Sequence, residues 1–231
     1  MTEARLLLWG ETQVGKTTLL ASGLLAHRER LPDIDWNADE DDARAVLLRR
    51  WGDLSRNQMI EPTAKANDLT LPLVNGNRLV VRDIVGGHSD NPHADDAFRQ
   101  PFDGAQGVLF VIEWEGRDVA RHKAAIRTAL PLCRGRKVGL AVTKCERGLD
   151  ADDPHWRAPV GWWRQHPFWA GHADLLEPFG AQVWPTSAYG FDADGRPACL
   201  LGEFGQPIPF QVRPRNVELP FRWFFRELGL I

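Results

Sequence analysis

Residues Gly10-Glu11-Thr12-Gln13-Val14-Gly15-Lys16-Thr17 fit the spacing G-x-x-x-x-G-K-[ST], and they follow directly on the apolar run Leu6-Leu7-Leu8-Trp9. A short continuous apolar run reads as a strand buried on both faces. Thr17 to about His27 reads as a helix with Leu20 and Leu24 on one face. Gly10 and Gly15 let the backbone curl until several N–H groups point at one anion. The helix that begins near Lys16 aims the positive end of its dipole at the same place. A phosphate chain suits that cradle, with Lys16 as a mobile cation for β- and γ-phosphates and the Thr17 hydroxyl as a Mg²⁺ ligand.

The rest of the chain supplies a sheet for such a loop. Leu69 to Val74 and Arg78 to Val81 are strand-like and flank Asn75-Gly76-Asn77, a hairpin-type turn. Gly107 to Ile112, Val138 to Val142 and Ala181 to Trp184 read as further strands, and about Val119 to Leu130 as a crossover helix. Leu47, Trp51 and Leu54 repeat at helical spacing. Phe221, Phe224, Phe225 and Leu228 fall at i, i+3, i+4 and i+7, the pattern of a closing amphipathic helix. The expected fold class is α/β: a mostly parallel sheet of about six strands with helices on both faces and one antiparallel edge strand. With no internal repeat or low-complexity linker, residues 1–231 read as a single domain.

Composition excludes several function classes. The formal charge of −3 carries no nucleic-acid signature. Cys133, Cys145 and Cys199 are an odd number with no CxxC pair, which argues against a disulfide framework and a zinc site and fits a reducing cytosol. Met1 to Arg5 is too short for a signal peptide, and no apolar run approaches the roughly 20 residues of a membrane span. A cytoplasmic chain without a membrane span is therefore expected.

Arg78 to Asp83 is a strand ending in an acid, followed by Ile84-Val85-Gly86. A carboxylate at a strand end beside a phosphate loop can hold Mg²⁺ through water. The backbone N–H of Gly86 can approach a γ-phosphate. Asp83-x-x-Gly86 joins the first motif, Thr63 in Glu61-Pro62-Thr63, Thr143-Lys144-Cys145-Glu146 and Ser187-Ala188-Tyr189 in one order along the chain.

That order resembles the Ras-like (TRAFAC-class) P-loop GTPases over about residues 5 to 190. The resemblance implies a P-loop NTPase fold with Ras-like topology, binding GTP or GDP with Mg²⁺ along Gly10–Thr18. It implies that Thr17, Thr63 and Asp83 complete the metal shell and that Thr63 senses the γ-phosphate. Lys144 would lie along the guanine face, Glu146 would accept from its edge, and Ala188, after Ser187, would offer its backbone N–H to the guanine oxygen. Thr143 would tie the guanine loop to the phosphate loop. Lys16, Thr63 and His88 are the catalytic candidates.

Two positions depart from the family. Glu146 stands where the family has aspartate, so guanine is read only if the loop recedes by about one methylene. Gly87 stands where a glutamine commonly orients the attacking water, with His88 one place further along. Slow intrinsic hydrolysis is the expectation, with Arg49, Arg50 and Arg56 as candidates for an arginine acting in cis. Insertions fall at about 29–60, 147–172 and 190–215. The second holds Trp156, Trp162, Trp163 and Trp169, which build a local core or present a partner-binding surface. Arg215 to Trp223, with Gly15-Lys16-Thr17-Thr18 and Asp83 to Gly87, is similar to bacterial double-GTPase type domains, which implies a protein partner such as a second GTPase. Two other readings stay open: a nucleotide-binding scaffold with little turnover, and a P-loop ATPase.

Overall fold

The computed structural model describes residues 1–25, 28–36, 45, 47–49, 51–53, 67–84, 98–114, 119–201, 207–209 and 213–231. The apolar run before the glycine loop lies within strand β1 (Glu3–Trp9), and its side chains divide between two faces. Leu6 and Leu8 enter one apolar cluster, Leu7 and Trp9 the other. A strand covered on both sides has no polar face to show, which is why this run is continuous rather than alternating.

β1 pairs in parallel with β3 (Arg78–Asp83) on one side and β4 (Gly107–Glu113) on the other. β5 (Lys137–Thr143) and β6 (Val183–Pro185) continue the parallel order. β2 (Asn67–Pro72) closes the far edge antiparallel to β3, giving β2-β3-β1-β4-β5-β6. Gly76, at φ +84°, makes the turn between β2 and β3, as expected of Asn75-Gly76-Asn77. A second, two-stranded sheet pairs β7 (Cys199–Leu201) with β8 (Pro207–Pro209).

Helices cover both faces. α1 (Lys16–Leu25) and α5 (Leu219–Glu227) share the cluster of Leu6, Leu8, Leu109 and Val111, while α2 (Val119–Ala129) packs on the opposite face with Leu7, Phe110 and Val142. α1 buries far more than the expected Leu20 and Leu24 stripe: Leu19, Ala21, Ser22, Gly23 and Leu25 are buried too. The cause is α5, whose Phe221 ring lies so close that a Cβ on Gly23 would stand 2.5 Å from it. Residues 47–49 and 51–53 are helical, as the Leu47 and Trp51 spacing predicts, and Leu54 lies outside the described residues.

The second insertion resolves into short helices, including α3 (Pro167–Ala170), around a tryptophan core, and α4 (Ala173–Leu176) follows it. Trp156, Trp162, Trp163 and Trp169 are all buried in the α2-side cluster. Of the two roles open to them, the local core is the one they take. No described helix is long and apolar enough to cross a membrane.

Candidate functional site

The site lies at the carboxyl ends of the parallel strands, where β1 has neighbours on both sides and its exit loop faces the crevice between them. The turn Gly10–Gly15 runs from β1 into α1 with Gln13 and Gly15 both at positive φ, 66° and 89°. Gly10 is fixed by space: an added Cβ would stand 2.3 Å from the Val111 carbonyl of β4. Inside the turn, the Lys16 ammonium donates to the carbonyls of Gly10 and Glu11 at 2.7 Å each. Glu11 turns its carboxylate toward α2, 3.5 Å from His122. Thr12 and Gln13 are exposed, Val14 is buried, and Thr17 and Thr18 are half-buried at the helix start.

β3 runs parallel to β1 with Asp83 opposite Leu8, so its last side chain arrives beside the loop. There the Thr17 hydroxyl donates to Asp83 at 2.6 Å. A hydroxyl and a carboxylate at that separation suit Mg²⁺, which keeps several waters and takes the rest of its shell from phosphate. Among the described residues no group of three or more His, Cys, Asp or Glu side chains could cage a metal alone.

The end of β5 meets the loop from the other side. The Thr143 hydroxyl lies 2.6 Å from the Val14 carbonyl and 3.0 Å from that of Ile112. Lys144, in the left-handed region at φ 58°, donates to the Gln13 carbonyl at 3.0 Å and pairs with Glu113. Cys145–Arg147 then make one 3-10 turn that buries Cys145 and Glu146. Two strand ends are laced here, since the Cys145 N–H donates to Thr186 and the Thr186 N–H to Val142.

Glu146 is 5% exposed. Burial pushes its carboxyl pKa above the ordinary glutamate value, against the opposing effects of a Ser187 hydrogen bond and the charges of Arg147 and Lys144. Its Oε2 has no hydrogen-bond partner among the described residues. An acceptor buried at that depth without a donor is costly, and a ligand bearing N–H groups would relieve it. Ser187 is held by two backbone bonds to Arg215, and Ala188 beside it is half-buried.

The expected residues of the phosphate loop, Asp83, Thr143, Lys144, Glu146, Ser187 and Ala188 therefore gather at one end of the sheet. Thr63, Gly86, His88, Arg50 and Arg56 lie outside the described residues, and Arg49 is exposed. Glu113 was missed by the motif reading, and so was Trp114, whose N–H donates to the Thr143 carbonyl. The signal for them is faint: an acid and an aromatic closing an apolar strand. No family model matches the chain, and no curated protein matches it.

Proposed function

We propose that the chain is a Ras-like P-loop domain that binds GTP with Mg²⁺, hydrolyses it slowly and signals its nucleotide state to a protein partner. One observation carries the reading: Thr143 and Lys144 bond directly to the carbonyls of Val14 and Gln13. A phosphate loop alone serves any nucleoside triphosphate. A Thr-Lys-x-Glu loop fastened to it adds a buried carboxylate, and an acceptor there would favour guanine over adenine.

In this reading Lys16 exchanges its two carbonyl contacts for phosphate oxygens, and the loop N–H groups hold the β-phosphate. Thr17 and Asp83 fix the metal, which supplies charge neutralisation at the phosphates when bound. Glu146 accepts from the guanine N–H edge and Lys144 covers its face. Gly87, in place of a glutamine, leaves water poorly oriented and turnover slow.

Thermal unfolding with Mg²⁺ and GTP, GDP, ATP or ADP tests this. A ligand at 100 times its dissociation constant adds about 2.7 kcal/mol of stability. Protection by GTP and GDP alone is the expected result. Equal protection by ATP supports a P-loop ATPase, and protection without turnover leaves a nucleotide-binding scaffold, the reading that Gly87 favours.

A further inference from the structure

The last two residues of the β4 exit, Glu113 and Trp114, touch the Thr143–Gly148 loop at three points. The Trp114 backbone N–H donates to the Thr143 carbonyl at 2.8 Å, continuing the β4–β5 ladder. The Glu113 carboxylate pairs with the Lys144 ammonium. The Trp114 ring then lies against Gly148, where an added Cβ would stand 1.9 Å from the indole. Gly148 has φ −140°, outside the left-handed region that calls for glycine, so it is the ring that demands glycine here.

The ring is itself held from behind. Trp162 stacks on it at 5.8 Å and 17°, Trp169 meets it edge-on at 5.7 Å, and the His166 ring lies at 4.8 Å. Trp162 also donates from Nε1 to the Val183 carbonyl at 3.2 Å, which joins the block to β6, the strand leading to Ser187. The tryptophans of the 147–172 insertion thus back the loop that carries Glu146 and reach the strand that leads to its partner Ser187.

We propose that Glu113 and Trp114 are positioning residues for base recognition. Glu113 sets the Lys144 ammonium, and Trp114 sets the return of the loop at Gly148, so that Glu146 meets the base in register. This rests on the reading of Thr143–Glu146 as the guanine loop. Glu146 is one methylene longer than the family's aspartate, and the tryptophan block fixes the loop geometry that accommodates it.

The test measures dissociation constants of GTP and ATP with Mg²⁺ for the full chain and for Gly148→Ala, Trp114→Leu, Trp114→Phe and Glu113→Gln. Gly148→Ala and Trp114→Leu are expected to weaken GTP about tenfold with ATP nearly unchanged, while Trp114→Phe keeps the preference. Glu113→Gln changes no volume and is expected to reduce the GTP-to-ATP preference about threefold, so it carries the test if the other variants fail to fold. An unchanged ratio in Glu113→Gln and in whichever loop variants fold overturns the proposal. So does a parallel loss of both nucleotides, which marks a purely structural role. A wild-type chain that does not prefer GTP overturns the guanine reading itself, and is seen before any variant is made.

Discussion

Between Gly10 and Thr18 the turn is closed from within by Lys16, which reaches back five and six residues to the carbonyls it bonds, while Asp83, Thr143 and Lys144 touch it from outside. Between Thr143 and Gly148 it is held by residues from elsewhere: Val14 and Gln13 of the glycine loop, Glu113 at the end of β4 and Trp114 just after it, and Thr186 after β6. The first region follows from local spacing, and the second from packing. Damage to the phosphate end should therefore remove binding without disturbing the fold, whereas damage to the base end should change what is bound.

Lys16→Ala makes the sharpest contrast. It removes the one cation inside the turn and is expected to weaken every nucleotide about a thousandfold. Far-UV circular dichroism should stay unchanged. Normal GTP affinity in this variant, measured by titration calorimetry, would break the comparison at its stronger end.

Glu146→Ala is expected to cost roughly a hundredfold in GTP-over-ATP preference while ATP affinity holds. Acid should act on the same group. Its folded pKa is raised by burial, so the ionised form that would accept guanine N–H bonds on the proposed reading is lost as pH falls through that raised value, at a higher pH than for an ordinary carboxyl. GTP affinity should fall there and ATP affinity should not. The proton is also held more tightly by the folded than the unfolded chain. That contribution to stability is fully present below the ordinary 4.5 and fades as pH rises through the folded value. Denaturant titrations of Glu146→Gln should lack this slope.

The smallest effect is expected at the tie between the two ends. Thr143→Val keeps the shape and removes the hydroxyl that bonds Val14, costing about 1 kcal/mol in urea unfolding. No change would mean that the loops are joined through Lys144 alone.

The same division explains what could be read from the chain beforehand. Six strands announce themselves as apolar runs because they are covered on both faces or alternate across a hairpin, and the glycine loop because its backbone needs glycine at fixed offsets. The closing helix follows from Phe221, Phe224 and Phe225, all fully buried. Gly148 carries no such mark, since its need for glycine comes from a ring 34 positions earlier and not from its own dihedrals. Trp114 is equally silent, because its partners Trp162 and Trp169 come after it with a whole strand and helix between. Glu146 is legible as a motif position, but its burial is not, for that depends on how the ends of β5 and β6 are laced.

The seat of Phe221 against Gly23 has a bearing on how the molecule is made. A ribosome delivers the glycine loop and the helix behind it ahead of the rest of this sheet, and the ring that covers that helix emerges about two hundred residues later. Until then the nascent α1 must keep an apolar flank exposed or borrow a temporary cover. The part of the site encoded earliest is thus among the last to be finished.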